Sequence, residues 1–86
     1  MRFTYDDEVD ALYVYLREGR ATSSSLEVDA GRVLDLDDRG APVGVEILGA
    51  SRGVRLTDLI EPWCLQDLRV NLQILERTQF RPSEHA

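Results

Sequence analysis

Lysine is absent from this 86-residue chain, and its ten basic residues are all arginine. Set against sixteen carboxylates they leave a net charge of -6, which works against general affinity for nucleic-acid phosphate or an anionic membrane. An all-arginine basic complement is also the usual mark of a GC-rich genome, so a bacterial source is expected. Cysteine is scarce too. Cys64 alone excludes an internal disulfide and a multi-thiolate metal site within one chain, and it is expected to be a small buried apolar residue. The one histidine, His85, is the next-to-last residue, which gives histidine-based catalysis little to build on. No apolar run approaches the about 18 to 20 residues of a bilayer span, and no basic segment followed by an apolar one opens the chain. Neither an anchor nor a signal peptide is expected, and the expected location is cytoplasmic.

What is present is alternation. With hydrophobic residues at 43% and charged residues at 30%, the composition is that of an ordinary globular protein of one domain, residues 1–86. Arg2 to Tyr5 alternates as a short strand, followed by an acidic turn from Asp6 to Asp10. Ala11 to Leu16 places Leu12, Val14 and Leu16 on one face and Tyr13 and Tyr15 on the other. Both faces are apolar, so this strand is expected in the middle of a sheet with cover on each side, the tyrosines packing under a helix. Ala21 to Asp29 reads as a third strand. Val33 to Asp37 and Pro42 to Leu48 form a hairpin around Asp38, Arg39 and Gly40, where glycine supplies the positive φ of a tight corner. The expected fold is α+β: an antiparallel meander sheet of four to five strands over residues 1–51, then a helical segment at 57–78 and a flexible tail at 79–86.

After Leu56 the period becomes helical, with Thr57 or Asp58 as an N-cap and Pro62 as an interruption. A helix of some four turns is expected from Trp63 to Arg77. Leu65, Leu68, Leu72 and Leu75 fall on one face at spacings of three, four and three, while Trp63, Val70 and Ile74 fall almost opposite. Two opposed apolar stripes call for two covers, one the chain's own sheet and the other the same helix of a second subunit. These seven residues are therefore the candidate dimer or partner interface, and a homodimer is expected.

The acidic residues invite a metal reading. Asp35, Asp37, Arg39, Gly40 and Glu46 stand at positions one, three, five, six and twelve of a calcium loop. An arginine at the fifth position and strands on both flanks argue against that assignment. Asp6, Asp10, Asp35 and Asp37 remain candidates for a carboxylate site holding magnesium or manganese. The competing reading is that these carboxylates cap turns and form the wet side of a hairpin, Asp35, Asp37 and Glu46 alternating away from the core. Cys64 lacks a histidine partner, the Ser23 to Ser25 run lacks a base, and no phosphate-cradling glycine loop is present. No catalytic residue and no cofactor-binding residue is nominated, no cofactor is implied, and the chain is not expected to be an enzyme.

Tyr5 and Asp6, then Glu8, Asp10, Ala11, Leu12 and Tyr13, and later Val43, Gly44, Val45, Glu46, Ile47, Leu48 and Ala50, carry a resemblance. Over about residues 1–51 the chain resembles the domain of unknown function 2283 family, small prokaryotic proteins with a tyrosine-aspartate opening and a glycine-isoleucine-glutamate-isoleucine hairpin strand. Val45 stands here in place of the usual isoleucine. The family implies no activity and no site residues. Some of its members are similar to proteins encoded beside small toxin-like genes, which implies an antitoxin-like or regulatory partner role. The expected function is thus a non-enzymatic, dimeric protein-interaction module. Two rivals stand beside it: a carboxylate-based metal-binding protein or small hydrolase, and a DNA-binding autoregulator using Arg52 and Arg55, although nucleic acid is disfavoured by the net charge.

Overall fold

A computed structural model describes residues 1–83. Among them are five strands: β1 (Arg2–Asp6), β2 (Ala11–Tyr15), β3 (Ser24–Asp29), β4 (Arg32–Leu36) and β5 (Pro42–Leu48). All neighbours are antiparallel, and the order across the sheet is β1-β2-β5-β4-β3. The class is α+β as expected, but the order is not the simple meander. The loop after Leu16 carries β3 to the far edge, and β5 returns to fill the place beside β2, the order of a Greek key. The physical reason lies in β2 and β5. They are the two strands apolar enough to want neighbours on both sides, and pairing them puts the most buried backbone at the centre.

The core lies on one face of the sheet. Leu12 and Val14 of β2, Leu34 of β4, and Val45 and Ile47 of β5 are fully or nearly fully buried against Val54, Leu56, Leu59, Ile60, Leu65, Leu72 and Leu75. That covering layer is less helical than its periodicity promised. Two 3-10 turns, Thr57–Leu59 and Gln66–Leu68, precede a single short helix, α1 (Arg69–Arg77). The expected helix start at Trp63 fails at Cys64, whose φ of 56° is left-handed. There the N–H of Leu65 reaches back to the carbonyl of Ile60 at 2.8 Å and that of Cys64 to the carbonyl of Glu61 at 3.4 Å, the paired bonds about a left-handed residue that terminate a helical turn. This conformation also leaves Cys64 exposed, where a buried thiol was expected.

Of the seven residues singled out in this segment, Leu65, Leu72 and Leu75 are committed to the chain's own core, and Trp63 and Leu68 pack against its margin. Val70 and Ile74 stand exposed on the outer side of α1. The tail is partly held down. Phe80 is buried, its ring 4.9 Å from that of Tyr5 and 5.9 Å from that of Phe3, and the N–H of Ser83 donates to the carbonyl of Asp7 at 2.8 Å. A loose tail from 79 onward is therefore corrected as far as Ser83; residues 84–86, His85 included, lie outside the described residues.

Polar contacts fix the layer on the sheet. Arg32 projects to the core side of β4 and is buried. Its guanidinium donates to Asp29 from Nε and one terminal nitrogen, to both oxygens of Asp58 at 2.7 and 2.9 Å, and to the carbonyl of Arg55 at 3.0 Å. Glu76 of α1 accepts the N–H groups of Leu56 and Thr57 and the hydroxyl of Thr57, closing the start of the first 3-10 turn. Arg17, beyond β2, grips Asp67 with two parallel bonds of 2.9 Å.

Replacing Arg32 by methionine is expected to lower the unfolding free energy by about 2 to 4 kcal/mol, because Asp58 and the Arg55 carbonyl lose their partner while the methionine adds only packing. Urea denaturation followed by Trp63 fluorescence measures this. A change below about 0.5 kcal/mol would remove Arg32 from its role as the clasp.

Candidate functional site

Leu12 and Val14 point into the core, so period two sends Tyr13 and Tyr15 to the other face of the sheet. They do not pack under a helix as expected; the covering layer lies on the Leu12 side. Their neighbours by register are Thr4 and Arg2 on β1, and Glu46 and Gly44 on β5. Beyond these come Val33 and Asp35 on β4, then Glu27 and Ser25 on β3.

This face is ordered by its own contacts. The Tyr13 ring lies across Gly44, and a Cβ at that position would collide with the phenol. The glycine thus opens a lane through which the Tyr13 hydroxyl donates to Oδ2 of Asp35 at 2.6 Å. The Ser25 hydroxyl donates to the other oxygen of the same carboxylate at 2.7 Å. Burial, and then the hydrogen bond to Asp35 and its negative charge, push the Tyr13 hydroxyl well above its ordinary pKa. Tyr15 meets Tyr13 edge to face with centroids 4.8 Å apart. Arg2 stacks its guanidinium 3.9 Å over the Tyr15 ring while its Nε bonds Glu18 at 3.0 Å. The result is a platform of two fixed aromatic rings with carboxylates around it and one stacked cation.

The four metal candidates do not converge. Asp6 accepts the N–H of Glu8 at 3.0 Å and holds the first turn. Asp35 belongs to the tyrosine face. Asp37 lies past the end of β4, buried in the hairpin corner instead of standing out as a solvated strand residue. It takes the N–H groups of Arg39 and Ala41, both at 2.9 Å, and pairs with Arg20. Among the described residues no group of three His, Cys, Asp or Glu side chains is placed to hold a metal ion.

Asp10 forms a different kind of centre. It sits at φ 55°, a left-handed position that aspartate tolerates better than most residues. Oδ1 accepts the Tyr5 hydroxyl at 2.6 Å and the N–H of Ser51 at 2.9 Å, and Oδ2 accepts the Ser51 hydroxyl at 2.6 Å. Its backbone carbonyl takes the N–H of Ala50 at 3.1 Å. Burial pushes the Asp10 carboxyl up, yet the bonds from Ser51 and Tyr5 outweigh it and hold the pKa below the ordinary value. Tyr5 is correspondingly pushed up to about 12, by burial first and then by Asp10. The sequence marked Tyr5, Asp10 and the strand before Ser51 as two separate motifs, and the fold joins them into one structural knot. Arg52 and Arg55 do not make a joint basic patch, since Arg55 pairs with Asp29 at 2.9 Å and Arg52 lies against Gly49.

A five-stranded antiparallel sheet covered on one face and bearing ordered aromatic and acidic groups on the other defines a small α+β protein. The stretch from 2 to 51 matches the family model described as Protein of unknown function (DUF2283), and the chain belongs to that family. No curated protein and no solved structure matches it.

Asp10→Asn keeps the tolerance for positive φ but removes the charge, and it is expected to cost about 1 kcal/mol at neutral pH. Because the folded Asp10 pKa is depressed, its contribution is complete above the unfolded aspartate value near 4 and drains away as pH falls through the folded value. The variant should therefore flatten the acid limb of the stability profile below about pH 5. Thermal unfolding across pH 3 to 7 reads this out, and an unchanged acid limb would refute the assignment. Gly44→Ala should displace Tyr13 and bring its pKa down toward the ordinary value, seen as an added phenolate transition near pH 10 in ultraviolet titration.

Proposed function

We propose that this protein is a non-enzymatic interaction module whose tyrosine face receives a basic protein partner in an antitoxin-like or regulatory capacity. The observation that carries this reading is the ordering of Tyr13 and Tyr15 on the face away from the core. Their rings are fixed by Asp35, Gly44 and each other, so little rotamer entropy remains to be lost on binding. Tyrosine and arginine are the residues enriched at the energetic centres of interfaces. Around them stand Asp35, Glu46 and Glu27, on a chain of net charge -6. Such a surface steers a cationic partner and rejects an acidic one. The stack of Arg2 on Tyr15 is, within the chain itself, the geometry a partner's arginine would adopt at Tyr13 and Glu46.

Co-purification of the tagged chain from its native host tests the reading, with Tyr15→Ala run beside the wild type. The expected result is a basic protein recovered with the wild type, lost with Tyr15→Ala, and released by raising the salt. Circular dichroism of Tyr15→Ala should be unchanged, since the ring is no part of the core. Recovery of nothing above background, or equal recovery with both chains, would overturn the reading.

A further inference from the structure

β3 is an edge strand of the sheet. β4 pairs with one side of it, and among the described residues nothing pairs with the other. At the opposite edge the tail crosses just past β1, where the carbonyl of Asp7 takes the N–H of Ser83 and Phe80 packs on the rings of Phe3 and Tyr5. Which atoms β3 turns outward follows from the ladder. The N–H of Leu48 donates to the carbonyl of Gly31 at 2.8 Å, so at Gly31 the chain faces β5. Alternation then turns Val33 and Asp35 toward β5 and Arg32, Leu34 and Leu36 toward β3. The bond from the N–H of Ser23 to the carbonyl of Leu36, 2.7 Å, agrees with that assignment. Leu26, opposite Leu34, consequently bonds inward, and Ser25 and Glu27 direct their N–H and C=O groups to solvent.

We propose that β3 pairs antiparallel with β3 of a second copy of this chain, about a two-fold axis perpendicular to the sheet at Leu26, giving one continuous sheet across both copies. In this register Ser25 of each copy stands opposite Glu27 of the other, and each such pair exchanges two backbone hydrogen bonds. The side chains agree with the backbone. Ser25 and Glu27 share the tyrosine face, so a neutral side chain, its hydroxyl proton already given to Asp35, stands opposite a carboxylate and no like charges are directly opposed. Leu26 meets its own counterpart on the core side. It is 44% exposed although Leu34 beside it is fully buried. The usual deterrents to edge pairing, lysine and proline, are missing from Ser24 to Asp29, and the bulge lies beyond Glu27 at one end. A six-residue strand pair belongs to the small, weak class of interfaces, below about 1,200 Å² in total, so the association is concentration-dependent. It leaves the tyrosine face free on both copies and does not rest on the role proposed for that face.

Sedimentation equilibrium across micromolar to high-micromolar concentrations tests the pairing with the wild type, Leu26→Lys and Ile74→Lys. The wild type and Ile74→Lys should pass from monomer to dimer, while Leu26→Lys, which sets two cations against each other on the axis, should remain monomeric with an unchanged circular dichroism spectrum. If Leu26→Lys perturbs the fold, Ser25→Pro makes the same test, because it removes an N–H that the monomer does not use. A wild type that stays monomeric throughout would overturn the proposal. So would a folded Leu26→Lys or Ser25→Pro chain that dimerises like the wild type, or loss of the dimer in Ile74→Lys alone, which would move the interface to the outer side of α1.

Discussion

The guanidinium of Arg32 is where the sheet and the layer above it become one structure. A short five-stranded sheet with an irregular cover gains little from helix propensity, since α1 has nine residues and the segment before it is 3-10 turns and coil. What holds that cover in register is burial of its leucines plus a few directional contacts. Arg32 engages all five of its N–H donors on Asp29, Asp58 and the Arg55 carbonyl, tying the β3–β4 corner to the start of the layer. Both carboxylates are held below their ordinary pKa, Arg32 being the leading cause in each case. A buried arginine is tolerable only when so completely satisfied, and that requirement leaves a single position for the segment that supplies its acceptors.

Glu76 works toward the same end from the other side of the layer. Burial pushes its carboxyl up, but the N–H groups of Thr57 and Leu56 and the Thr57 hydroxyl outweigh this and keep it ionised. The helix is thereby latched to the turn that opens the layer. Two unrelated charges, one on the sheet and one on the helix, hold the stretch 55–58, Arg32 at Arg55 and Asp58 and Glu76 at the intervening Leu56 and Thr57. Only between them does an irregular chain of buried residues such as Leu56, Leu59 and Ile60 have a defined path.

Much of this architecture was legible from period two alone. The hairpin of β4 and β5, the inward set Leu34, Val45 and Ile47, and the central place of Ala11 to Tyr15 all follow from side chains that alternate. Strand order was not legible, because alternation says which face a residue takes and nothing about which strand lies beside it. The length of α1 was misjudged because leucine spacing persists through Cys64, while the left-handed turn there, closed by backbone bonds to Ile60 and Glu61, falls on a cysteine and not on the glycine that usually marks such a stop. Asp37 was misassigned to the wet face because the strand ends one residue before it, at Leu36. The tyrosine platform was half visible. Tyr13 and Tyr15 could be put on one face, but the partnership with Asp35 depends on β4 lying beyond Gly44, a fact of strand order. Tyr5 and Ser51 gave no sign of sharing a carboxylate, since they stand 46 positions apart along the sequence.

The family match ends at Ser51, the residue whose hydroxyl and N–H close onto Asp10. The matched stretch is thus a complete five-stranded sheet whose last residue is fastened to its first turn, and it lacks a roof. Leu12, Val14, Leu34, Val45 and Ile47 would each forgo about 1.5 to 3 kcal/mol if their face met water, so a chain built from the matched stretch alone has to borrow its cover from another molecule. In this protein the roof is an appended piece fastened by Arg32 and Glu76. The sheet is in that sense a socket, and residues 54–80 are one plug that fits it.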